Sequence, residues 1–151
     1  MAGVRPIYET QRDRDAERAF AVHIGKKWNL RPRQEGLLAG HDFDFLNEQG
    51  VVVVRMEIKV RTCTFHTYDT VMISSNKILG PAEASKRTGI LHVLAMRYTD
   101  KDVYAVVNDV LVQESELTVG GRYDRGDPQD VTDVFLMPTR FFRPFDNIIW
   151  S

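Results

Sequence analysis

The sequence predicts an α/β (α+β) protein, a mixed central β-sheet flanked by helices, in a single domain over residues 1–151. Three observations predict it. Apolar residues recur every fourth position near the N-terminus, two later segments alternate charged with apolar residues, and a second helical region separates early strands from late ones. The resulting order is α-β-β-β-α-β-β.

The first helix runs from about Gln11 to Lys27. Thr10 followed by Asp13 is its start signal, and Ala16, Phe20, Ile24 and Trp28 form one apolar stripe that ends before Asn29 and Pro32. Glu17 stands three residues before Phe20, at the edge of that stripe. His41 to Phe45 alternates strictly, with Phe43 and Phe45 on one face and Asp42 and Asp44 on the other. Asn47-Glu48-Gln49-Gly50 predicts a hairpin turn. Val51 to Arg61 follows as a long strand. Its Val52, Val54, Met56, Ile58 and Val60 share one face, and Arg55, Glu57, Lys59 and Arg61 the other.

Met72-Ile73 leads into the second helical region. Ser74 or Ser75 suits its start and Gly89 its end, while Gly80-Pro81 predicts a kink or two short pieces. Ile90–Tyr98 and Val103–Val112 are expected strands, joined by a turn over residues 99–102. Residues 120–130 are expected as a loop and Val134–Met137 as a short strand. Phe141-Phe142-Arg143-Pro144-Phe145 is expected to pack as an aromatic end-piece.

Composition narrows the function classes. With 43% apolar and 27% charged residues in 151, the chain can bury a core without covalent staples. The one cysteine, Cys63, excludes an internal disulfide framework and a multi-cysteine zinc site. No apolar run approaches a membrane span, and no secretion signal is visible, so a cytoplasmic protein is expected. Net charge is −1, but residues 1–40 carry +3 and residues 101–151 carry −4, so a polyanion should prefer the N-terminal half.

The candidate chemistry sits on the alternating strands. Glu57 and Lys59 are two apart and share a face, and a short turn brings Asp42 of the preceding strand near them. Two carboxylates and a backbone carbonyl, that of Ile58, offer the oxygen set a hard cation such as Mg²⁺ takes while keeping waters for a substrate phosphate. Lys59 would then orient a water or neutralise charge developing on phosphorus, and Glu17 would add a ligand or hold a further water. Arg55 and Arg61 share that face. Gripping flanking phosphates and pairing with Glu57 or Glu48 are equally open for them.

Asp42-Phe43-Asp44-Phe45, a turn, and then Val53 to Lys59 resemble the PD-(D/E)XK nuclease superfamily. That resemblance implies a restriction-endonuclease-like αβββαβ core, with an acid at one strand start and a carboxylate-x-Lys on the next strand. The stretch from Thr70 to Lys77, leading into a helix and then Ile90 to Arg97, is similar to the strand–helix–strand that follows the motif in phage-encoded members. It implies Glu17, Asp42, Glu57 and Lys59 at the motif positions, and Lys77 at a helix position that carries a catalytic or phosphate-contacting side chain. His41 stands where the motif's proline would be, and Asp42 is preferred to Asp44 because apolar-x-apolar follows it. The implied activity is Mg²⁺- or Mn²⁺-dependent hydrolysis of DNA, as a monomer or a homodimer. The alternative is a non-catalytic binding or assembly module on the same scaffold.

The remaining motifs carry bland readings. Cys63 and His66 lack partners for a metal or nucleophile site, and His23 and His92 are expected to be structural. The cluster Phe135, Phe141, Phe142, Phe145 and Trp150 is expected in the core or a subunit contact rather than stacking on bases.

Overall fold

Helix α1 (Gln11–Trp28) lays its apolar stripe against one face of a sheet, with Phe20, Ala21, Ile24 and Trp28 all buried. It is part of a computed structural model that describes residues 11–36, 41–121 and 131–145. The helix ends in a Schellman motif: Asn29 takes the left-handed conformation (φ 54°) and the Leu30 N–H donates to the Gly25 carbonyl at 2.9 Å. The chain then turns straight into β1 (Arg31–Gln34), a strand the sequence reading does not contain. Pro32 conceals it, yet proline is tolerated at a sheet edge, and β1 is the edge strand.

Three antiparallel strands follow one another: β1, β2 (Phe43–Leu46) and β3 (Val52–Val60). The predicted turn closes the β2–β3 hairpin. The Asn47 side chain accepts from the Gln49 and Val51 N–H groups at 3.0 Å each, and Gly50 supplies the positive φ of 77°. The chain then crosses over through β4 (Thr70–Ser74) and α2 (Asn76–Thr88) to β5 (Leu91–Arg97), which pairs parallel to β3. β6 (Asp102–Val106) and the short β9 (Arg143–Pro144) complete a six-stranded mixed sheet in the order β1-β2-β3-β5-β6-β9. The expected αβββαβ order is therefore present, but its first strand is β1. Thr70–Ser74 belongs instead to a second sheet, β4-β8-β7, with β7 (Glu116–Gly121) and β8 (Val131–Pro138).

Several boundaries differ from expectation. The strand expected over Val103–Val112 stops at Val106, and Asp109–Glu114 forms a helix, α3. The Asn108 side chain caps it by accepting from the Leu111 N–H at 3.0 Å, a local signal that outweighs the β-favouring valines. α2 is one continuous helix through Pro81, not two pieces. Proline removes one bond to the preceding turn, and Pro81, Ala82 and Ile78 are buried against the sheet. Gly89 ends α2 as expected, at φ 74°. β8 is longer than the Val134–Met137 predicted, and Gly120–Gly121 end a strand. Of the expected loop, residues 122–130 lie outside the described residues, as does Trp150.

The sheet separates two cores. On the α1 side, Phe20, Ile24 and Trp28 meet Val54, Met56 and Ile58 of β3 and Phe145. On the other side, Ile78 and Ala82 of α2, Leu111 of α3, and Ile73 and Phe135 of the second sheet cover Leu94, Met96 and Val103. Phe135 and Phe142 join that second core and Phe145 the first, so these described aromatics of the expected cluster pack in the interior. No helix among the described residues is long and apolar enough to cross a membrane.

Candidate active site

β2 begins immediately after Asp42, at the point where β1 runs out and β3 continues paired with β5 alone. Backbone bonds fix Asp42 there. Its N–H donates to the Met56 carbonyl at 3.0 Å, and its own carbonyl accepts from the Glu35 N–H at 2.9 Å. Its carboxylate also accepts from the Ile58 N–H, at 2.8 Å. A strand residue's N–H and C=O point to the same edge, so the Ile58 carbonyl faces the side on which Asp42 stands.

Glu57 lies one residue back on β3, on the face turned away from α1. Its side chain is only 4% exposed, and neither carboxylate oxygen has a hydrogen-bond partner among the described residues. Two ammonium groups stand at ion-pair distance instead. Lys59 Nζ is 3.5 Å from Oε1, and Lys77 Nζ is 3.6 Å from the same atom. Lys77 sits in the first turn of α2, where a cation opposes the helix dipole, so its position is explained by Glu57 rather than by helix stability. Burial, reinforced by the Asp42 charge, pushes the Glu57 carboxyl above its ordinary value, and Lys59 and Lys77 pull against that shift.

These groups share one cleft of about 240 Å³, lined by Glu17, Asp42, Glu57, Lys59 and Lys77 among others. Every residue expected to be catalytic is in it. The cleft opens at the sheet edge, which lets Glu17 of α1 and Lys77 of α2 reach one space from opposite faces of the sheet. Arg14, Gln34, Glu35 and His41 also line it. Glu35 was invisible in the sequence because the strand leading to it is the one Pro32 conceals.

Asp44, the competing aspartate, is engaged elsewhere. It is buried and surrounded by Arg33 (2.9 Å), His41 Nε2 (2.6 Å) and Arg55 (3.4 Å). Burial acts to raise its pKa, but side-chain hydrogen bonding with Glu35, Arg33 and His41 outweighs it and holds the carboxyl below the usual range. Arg55 thus faces Asp44, not Glu57 or Glu48, and does not line the cleft. Glu35, His41 and Asp44 place ligand atoms within 4.8 Å of one another, a second acidic cluster beside the first. Two arginines already neutralise it. His92 packs edge-on to His41 with ring centroids 6.1 Å apart, and burial, His41 and Arg55 lower its pKa to about 4. Arg61 stands apart in an adjoining depression that shares Glu17 and Lys59 with the cleft.

An acid opening one strand, facing a carboxylate-x-lysine on its antiparallel neighbour within an αβββαβ core, is the arrangement of the restriction-endonuclease-like PD-(D/E)XK nucleases. The chain belongs to one family of that class, described as "Phage putative PDDEXK endonuclease", whose model matches residues 3–145. Among solved structures, the fold is similar to that of Hjc, a Holliday junction resolvase from Archaeoglobus fulgidus. The match has a TM-score of 0.53 and 13% identity, over 86% of this chain and 96% of that one. The search of curated proteins found no match.

Proposed function

We propose that residues 1–151 form one nuclease domain that hydrolyses phosphodiester bonds in DNA with the help of a divalent cation, Mg²⁺ or Mn²⁺. One observation carries the reading. A buried carboxylate, Glu57, presents two oxygens without hydrogen bonds among the described residues to a cleft that also holds Asp42, Lys59 and Lys77. Leaving a buried carboxylate without hydrogen bonds costs about 1–3 kcal/mol or more, of which the charges of Lys59 and Lys77, 3.5 and 3.6 Å from one oxygen, offset a part.

The donor set fits a hard cation. Asp42, Glu57 and the Ile58 carbonyl would hold it, supplying oxygen ligands only. Such a cation, when bound, lowers the pKa of a coordinated water and polarises the phosphodiester. The chain's own groups do the rest. Lys59 orients the attacking water, whose oxygen bonds to phosphorus as one ester P–O bond breaks. Lys77 places a second positive charge against the anionic transition state. Glu17 holds a further water at the α1 side of the cleft. Arg61, in the adjoining depression, contacts a neighbouring phosphate. Arg55, held on Asp44, acts behind the site by fixing the strand row on which Asp42 stands. DNA as substrate is consistent with the family's description and with the structural similarity to Hjc, a Holliday junction resolvase.

The test is incubation of the protein with supercoiled plasmid and with single-stranded DNA in Mg²⁺ or Mn²⁺. Wild type should cut. Glu57→Ala and Lys59→Ala should each lose on the order of 10²–10³-fold in rate. Equal cutting by all three would point to a contaminant, and no cutting by any form would leave the scaffold as a non-catalytic binding module.

A further inference from the structure

The catalytic cleft does not end at Lys59. Glu17 and Lys59 also line a depression of about 340 Å³ that contains Arg61 and Thr62. Arg61 in turn lines a third depression of about 430 Å³, with Cys63, Tyr68, Met72 and Tyr98. The three are joined through shared side chains into one groove whose character changes along its length. It carries both signs of charge at the cleft and in the middle depression, where Asp13 and Glu17 accompany Lys59 and Arg61, and it is aromatic and apolar beyond Arg61.

The far end is built rather than incidental. Tyr68 is 69% exposed and Met72 49% exposed, large apolar surfaces left open to water. Tyr68 follows a 3₁₀ turn over Phe65–Thr67 that is tied down on both sides. The Phe65 N–H donates to Asp100 at 2.9 Å, and the Thr64 and Thr67 hydroxyls are bonded at 2.8 Å. Tyr98, which lines the same depression, is braced by the Phe65 ring at 5.3 Å between centroids. The Tyr98 wall is therefore held in place before any ligand arrives, and the turn that leads into Tyr68 is anchored beside it.

We propose that this end of the groove receives an unpaired base of the substrate strand, so that the enzyme acts where a nucleotide beside the scissile phosphate is single-stranded. The inference rests on the phosphodiester-hydrolase reading of the cleft. A nucleic-acid strand alternates phosphates with flat, apolar-faced bases, and the groove offers an arginine followed by aromatic and thioether surfaces in the same order. In an intact duplex the base faces are already stacked and cannot reach Tyr68.

The only cysteine of the chain makes the test direct, because Cys63 lines the same depression. Two readouts are taken in EDTA, so neither depends on cleavage. The first is anisotropy of fluorescein-labelled oligonucleotides, either intact duplex or the same duplex with a single-stranded gap, with wild type, Tyr68→Ala and Met72→Ala. The preference for gapped over intact DNA should fall roughly 5- to 150-fold in Tyr68→Ala, the range of one lost stacking contact, and less in Met72→Ala. The second is the rate at which a thiol reagent modifies Cys63, which the gapped oligonucleotide should slow and the intact duplex should not. An unchanged preference in both variants, or Cys63 reacting equally with either DNA, overturns the proposal. So does Cys63 protection that depends on protein concentration without DNA, which would mean a second copy of the chain fills the groove. Cutting by wild type with no Tyr68 effect removes this inference alone. A Tyr68 effect with no cutting under any metal removes the nuclease reading instead.

Discussion

Glu57 is the residue at which stability and function conflict most plainly. Its folded carboxyl titrates above its ordinary value because burial and Asp42 oppose its charge. Raised folded pKa means that the folded state binds more protons, so stability falls as pH rises through that window. Glu57→Gln should therefore melt higher than wild type at neutral pH without metal, on the order of 2–4 °C, while losing cleavage and any melting shift from added Mg²⁺. Scanning calorimetry with and without Mg²⁺ checks it. Asp44 and His92 behave in the opposite sense. Asp44 is held below its ordinary 3.8, so its contribution is complete above that pH and is lost as pH falls through the lower folded value. His92 is kept neutral down to about 4 against an ordinary 6.5, so the unfolded chain takes up a proton first and stability drops between those values. A urea midpoint that declines from pH 6.5 toward 4, with a shallower decline in His92→Gln, is the expected result. At this scale the strand alternation shows Glu57 and Lys59 on one face. It does not show that the second cation comes from Lys77, because that depends on how Ile78 and Ala82 seat α2 on the sheet.

Elements were legible where a local signal and the tertiary contacts agree. α1, the Asn47–Gly50 turn, β3 and the Gly89 stop each have both. β1 did not, because Pro32 marks it as a break and only the sheet edge makes proline acceptable there. α3 was hidden in a valine-rich run, since Asn108 capping counts for more than strand propensity over so short a segment. The α1–β1 joint is the element on which the cleft depends most. A Cβ built on Gly25 would lie 2.6 Å from the Leu30 carbonyl oxygen and 3.0 Å from the Pro32 ring, so the helix and strand approach each other only because Gly25 has no side chain. Gly25→Ala should cost about 1–3 kcal/mol in urea unfolding. It should also lower cleavage, because Glu17 of α1 and Glu35 beyond β1 line the same cleft. An unchanged midpoint would show that the joint has slack it is not credited with.

For the molecule as a whole, a two-sided sheet puts one core under α1 and another under α2, α3 and the small second sheet. The cleft lies at the exposed edge between them, where β2 starts late and β3 runs on. Sequence periodicity shows which residues share a face of a strand. It does not show that Thr70–Ser74 leaves the main sheet, since pairing with β8 joins residues sixty or more positions apart. Nor does it choose between Asp42 and Asp44, which alternate identically. The preference for Asp42 comes from the family resemblance, and the structure adds that Asp44 is buried among Arg33, His41 and Arg55 while Asp42 lines the cleft. That distinction supplies the most direct measurement: the anomalous scattering of crystals soaked in Mn²⁺. A peak about 2.1 Å from carboxylate oxygens of both Asp42 and Glu57 is the predicted result. A peak at Glu35, His41 and Asp44 instead, or none in either place, would contradict it.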